Sequence, residues 1–157
     1  MGLDMYLRGV KYFNTCTYDY STSGDPIKEV DPIYQAITDA AGIEQTNEIG
    51  SCECQLQVMY WRKANQIHKW FDDHIQGGCK NCEPARFTKE QLTQLHSECC
   101  NALAHKDAEV LPTQSGFFFG STEIDEWYWK DLEVTRDELE KLLKADQFDE
   151  YVYLAWW

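Results

Sequence analysis

Four residues near the middle of the chain have the types and spacing of a zinc site. Cys79 and Cys82 form C-x-x-C in GGCKNC, and His96 and Cys100 stand one helical turn apart in the segment that follows. Thiolate and imidazole are the groups zinc prefers, and an i, i+4 pair presents both side chains on one helix face. Against that set, a second C-x-x-C is missing, the CEC at Cys52–Cys54 lacks the usual spacing, and the adjacent Cys99 and Cys100 cannot both face one way on a helix. Free thiols are the alternative. The start, MGLDMYLRGV, lacks the layout of a secretory signal, so the seven cysteines are expected in a reducing compartment, the cytoplasm, where a disulfide framework does not persist.

A second group lies in YWRKANQIHKW, which begins as a strand and continues with helical period. The first turn of a helix leaves backbone N–H groups unpaired and attracts anions. There Arg62 offers a fork of donors, Lys63 a point charge, Asn65 an amide and His68 a titratable donor, with Trp61 available to stack a planar ring. The bland alternative makes Arg62 and Lys63 solvated and His68 a half-buried or surface residue.

The third group is LPTQSGFFFGSTEIDEWYW, residues 111–129. If this piece is extended, Phe117 and Phe119 point one way and Phe118 the other, so at least one face must find cover. Either it is a connecting strand in the core, or Gln114, Ser115, Phe118, Thr122 and Asp125 line a pocket. No nucleophile pattern, carboxylate pair or G-x-x-x-x-G-K-[ST] loop is legible, which places binding ahead of catalysis.

Lys and Arg total 14 against 27 Asp and Glu, a formal charge of −13. Such a field repels nucleic-acid phosphates and attracts basic protein surfaces. The acids Glu123, Glu126, Asp131, Glu133, Asp137, Glu138 and Glu140, with Asp125, fall in one late helical segment and form a candidate interaction surface or a plain solvated face. No apolar run approaches the roughly 20 residues that span a bilayer, so no membrane role is expected.

These groups must be positioned by local structure. LDMYLRGVKYF predicts a strand around residues 3–13, TCTYDYSTSGDP a loop, and VDPIYQAITDAAG a short helix capped by Asp31, opened by Pro32 and stopped by Gly42. CQLQVMYW alternates as a strand with one face buried, and Ala64, Ile67, Trp70, Phe71 and Ile75 make a helical stripe that Gly77 ends. Thr88 and Gln91 form a capping box ahead of Leu92, Leu95, Cys99 and Leu103. The spacing from Ile124 to Leu143 predicts one long helix or two short ones, and FDEYVYLAWW a closing strand. Trp156 and Trp157 either close the core or offer a homodimer or partner surface. The expectation is an α+β fold, a single compact domain over 1–157 with a small, largely antiparallel sheet and about four helices.

MGLDMYL, YWRKANQIHKWF, LPTQSGFFFGSTEIDEWYWKDL and an aromatic tail together resemble a family of small proteins common in phages and prophages. The resemblance covers most of the chain and singles out Trp61, Arg62, Lys63, Asn65, His68, Gln114, Ser115, Gly116, Phe118, Gly120, Ser121 and Asp125, but not the cysteines. It implies a phage-side accessory acting in the host cytoplasm. One expectation is an inhibitor of a host defence or nucleic-acid enzyme, of the anti-CRISPR kind, whose acidic surface enters a basic groove of the host protein without binding nucleic acid directly. Another is a sponge for a nucleotide or nucleotide-derived signal, with a pocket near Arg62 and Gln114. A small zinc protein is the third; no cofactor is required by the first two.

Overall fold

The computed structural model describes every residue except 1, 20, 22–23, 25–26, 45–49 and 79–80. The chain forms two compact units, Met1–Val10 with Leu56–Trp157, and Lys11–Gln55. A four-stranded sheet has the order β4-β1-β6-β5, from β1 (Asp4–Asn14), β4 (Ser51–Arg62), β5 (Ala85–Phe87) and β6 (Glu150–Trp156), with residues 11–14 of β1 and 51–55 of β4 belonging to the smaller unit. β6 pairs antiparallel with β1, Asp4 opposite Trp156 and Val10 opposite Glu150, and antiparallel with β5. The architecture is α+β, with an antiparallel sheet and four α-helices among the described residues.

Alternation along the strands decides which face the helices cover. Leu3, Met5 and Leu7, Met59 and Trp61, and Tyr151, Tyr153 and Ala155 all point into one core. Onto that face pack α2 (Asn65–Phe71), α3 (Lys89–His105) and α4 (Glu126–Ala145), through Ile67, Phe71, Leu92, Leu95, Cys99, Leu132 and Leu139, each fully buried. Each such aliphatic or aromatic side chain contributes roughly 1.5–3 kcal/mol through the water it sheds. Phe71 stacks on Tyr153 with centroids 3.8 Å apart, so α2 is seated directly on β6. The opposite face carries an open aromatic ladder, Tyr60 to Tyr6 at 5.4 Å and Tyr6 to Trp156 at 5.6 Å.

The capping box at Thr88 and Gln91 is present, and the acidic segment forms one helix of 20 residues, started by Asp125. The helix after β4 is shorter than its apolar stripe suggests. It passes at Asp72 into a π turn, Asp72–Gln76, closed where the Gly77 N–H reaches Asp72 O at 2.9 Å. A π turn admits one extra residue per hydrogen bond, which the apolar spacing cannot reveal. β5 is three residues long, too short to register as a period.

In the smaller unit, β2 (Cys16–Asp19) and β3 (Ile27–Val30) pair antiparallel. Residues 16–19 were expected in a loop; their Thr and Tyr content suits a strand once β3 supplies a partner. Asp31 caps α1 (Pro32–Ala41) by accepting from the N–H of Ile33 and Tyr34, and Gly42 ends it at φ 66°.

Candidate functional site

The three phenylalanines do not lie in a strand. Phe119 N–H bonds back to Gly116 O at 3.1 Å, so residues 116–119 make a tight turn. That turn breaks the expected alternation: Phe117 is 95% exposed, Phe118 half-buried and Phe119 4% exposed. A Cβ at residue 116 would stand 2.5 Å from the Phe119 ring, which is why glycine is needed there. Gly120 sits at φ 92° and packs against Lys63, itself at φ 60°.

Asn65 holds this loop to the rest of the molecule. Its Nδ2 donates to Phe119 O at 3.2 Å and to Ser121 O at 2.7 Å, and its Oδ1 accepts from Gln114 N–H at 3.2 Å. Leu3 N–H adds a bond to Phe118 O at 3.0 Å. Asn65 is 1% exposed, so its amide is spent on the fold and not offered to a ligand.

The same correction applies to three other candidates. Trp61 is 4% exposed, with its indole N–H on Thr135 Oγ1 at 2.8 Å, and presents no free ring face. His68 is fully buried, shares a 2.8 Å hydrogen bond with the Tyr153 hydroxyl and lies edge-on to Phe119. Burial pushes its imidazole down to about 4, so it stays neutral and is no anion donor. Gln114 turns its side chain to the carboxylate of Asp72, whose own pKa burial raises. Helix α2 is buried almost all round, which closes its first turn to anions.

Arg62 and Lys63 have a different fate. Both are exposed at the end of β4 and line a cleft of about 310 Å³. Across it stand Gly120, Ser121, Glu123 and Asp125 from the loop, then Trp127 and Asp131 from α4. Trp127 is 76% exposed, a large ring face open to solvent. Asp131 is partly withdrawn from water, which raises its pKa, and accepts from Gln66 Nε2 at 3.4 Å. Among the described residues neither Arg62 nor Lys63 forms an ion pair, so both cations remain available.

Of the nine candidates for ligand binding, the structure thus brings Arg62, Lys63 and Asp125 to one cleft, where Glu123 and Asp131 join them. Trp61, Asn65, His68, Gln114, Ser115 and Phe118 do not line it. Trp127, Gln66 and Thr113 do, and the sequence reading missed them. The signal that could have found Trp127 is its place in the helix: it directly follows Glu126 in the first turn, one position ahead of the apolar stripe that begins at Tyr128.

No family model, curated protein or solved structure matches the chain.

On the acidic face, α4 carries its own neutralisation. Glu133 meets Lys130 at 3.4 Å, Asp137 meets Arg136 at 2.7 Å, Glu138 meets Lys141 at 2.6 Å and Glu140 meets Lys144 at 2.7 Å. Each exposed pair adds little stability, and together they offset four of the acidic charges on the helix. Of the proposed zinc ligands, Cys79 lies outside the described residues. His96 Nε2 and Cys100 Sγ approach to 3.7 Å on α3, while Cys82 is exposed with its thiol donating to Asn81 Oδ1. Among the described residues no three His, Cys, Asp or Glu side chains are grouped to hold a metal, and no helix is long and apolar enough to cross a membrane.

Proposed function

We propose that the protein acts by binding, and that the cleft beside Arg62, Lys63 and Trp127 takes a small ligand joining a planar ring to one anionic group, a nucleotide or nucleotide-derived signal. The observation that supports this reading is the meeting, in one concavity, of two exposed cations without ion-pair partners among the described residues and a tryptophan ring open to stacking. Arg62 and Lys63 suit a phosphate, and Trp127 suits a base. Glu123, Asp125 and Asp131 suit sugar hydroxyls or ring N–H groups as donors to them. The same three carboxylates oppose a long polyanion, which fits a mononucleotide-sized ligand and not a nucleic-acid strand. Together with the phage-like segments of the sequence, this is the chemistry of a sponge that withdraws a host signal.

The test is a thermal-shift screen with nucleoside monophosphates and cyclic mononucleotides, followed by calorimetry on any hit. A hit is expected to lose about tenfold or more in affinity in Arg62→Gln with Lys63→Gln, and similarly in Trp127→Ala, each about 1.4 kcal/mol or more. A screen in which no nucleotide raises the melting temperature at millimolar concentration would sink the reading.

The formal charge of −13 keeps a second reading in play, that of an inhibitor docking on a basic groove of a host enzyme. On α4 such a contact would compete with the exposed ion pairs of Glu133, Asp137, Glu138 and Glu140. Capture of one basic host protein at low salt and its release at high salt is the outcome that reading requires.

A further inference from the structure

The motif CEC places two thiols on strand β4. Residues two apart on a strand share a face, and the alternation is visible here: Cys52 and Cys54 are half-buried, while Ser51, Glu53 and Gln55 are exposed. The Cys54 side chain and the Phe13 backbone are both near enough to act on the Cys52 thiol, which burial pushes up. Neither sulfur is in a disulfide. The carboxylate near Cys52 is that of Asp31, whose Oδ1 is already engaged in capping α1.

We propose that Cys52 and Cys54 form a two-thiolate clamp for a soft cation of the monovalent copper type. Hard cations such as calcium and magnesium require a shell of oxygens, and structural zinc fills a tetrahedron with four ligands. A pair of sulfurs alone supplies neither shell. It does satisfy monovalent copper, which accepts two thiolates in a near-linear arrangement and favours soft donors. On binding, two S–H bonds break and two Cu–S bonds form. Both protons pass to solvent, and the metal keeps its oxidation state. None of these residues belongs to the cleft, so the inference does not depend on the ligand proposed there.

The experiment is an anaerobic titration of the full chain with Cu(I) in competition with a chromogenic Cu(I) chelator, on the wild type and on Cys52→Ser, Cys54→Ser and Cys82→Ser. Serine is close to isosteric with cysteine, and circular dichroism checks that each variant folds. Cys82→Ser is expected to keep a single tightly held equivalent. Cys52→Ser and Cys54→Ser should each weaken it by about tenfold or more. Retention in both of those variants, or loss in Cys82→Ser, overturns the proposal.

A probe of the unaltered protein gives an independent readout. Phenylarsine oxide joins two neighbouring thiols with release of one water, and its adduct should map to the peptide containing both Cys52 and Cys54. An adduct confined to other cysteines would also overturn the clamp.

Discussion

Asn65→Ala is expected to lower the unfolding free energy by about 3 kcal/mol. The change removes both bonds donated to Phe119 O and Ser121 O and the acceptor for Gln114 N–H. Asn65 is 1% exposed, so water cannot readily replace it. Buried groups left without partners cost more than the bonds themselves contributed. Asn65→Asp should be worse at neutral pH, because it keeps the acceptor but turns a negative charge toward two carbonyl oxygens. Urea denaturation reads both: the midpoint should fall in the order wild type, alanine, aspartate, with the slope preserved. A midpoint unchanged in Asn65→Ala would mean that Leu3 and the packing of Phe119 hold the loop unaided.

The second large effect is on pH dependence. His68 titrates at about 4 in the folded protein because burial disfavours the imidazolium, against about 6.5 when unfolded. Between those values the unfolded chain binds a proton that the native state does not. The stabilisation is therefore complete above pH 6.5 and is lost progressively as pH falls toward 4, by about 3 kcal/mol in all. Asp72 and Asp131 act in the opposite sense, since burial raises both, and acidification relieves their buried charge. The measurement is the denaturation midpoint from pH 7 to pH 4, repeated in His68→Gln. The variant should start less stable, having lost the bond to Tyr153 and left a hole beside Phe119, and should show a flatter profile over that interval. An equally steep profile in His68→Gln would assign the acid sensitivity to other groups.

Much of the fold was legible because it is written in apolar spacing and end chemistry. Asp31 with Pro32 and Gly42, the Thr88–Gln91 box, the stripe Ala64–Ile67–Phe71 and the run Tyr151–Ala155 each state their element locally. What was not legible depends on partners. Cys16–Asp19 becomes a strand only because Ile27–Val30 lies beside it, and Ala85–Phe87 only because β6 does. On β4, alternation gave the strand, but Leu56 at 60% and Tyr60 at 45% exposure lie on the open face, and Met59 and Trp61 on the core face. Both faces are apolar enough that periodicity cannot choose between them.

The site divides along the same line. Arg62 and Lys63 were found as cations in an acidic chain, a property of composition. Asn65, His68 and Gln114 looked equally suited to a ligand, yet Asn65 bonds distant backbone groups, His68 the Tyr153 hydroxyl, and Gln114 turns toward Asp72, none of which local sequence displays. Phe117 shows the same limit, since its exposure follows from a turn that alternation does not anticipate.

β1 and β6, hydrogen-bonded neighbours inside the sheet, bring Asp4 opposite Trp156, almost the full length of the chain apart. Closing so wide a loop costs chain entropy before any sheet contact forms, so folding belongs with the slow, high-contact-order class. A chain emerging from the ribosome can wind α3 and α4 as it grows, but β1 must wait without β6 until residues 150–156 are released. Until then Leu3, Met5, Leu7, Met59 and Trp61 have no finished core to enter, so the growing chain exposes apolar side chains that the native state hides.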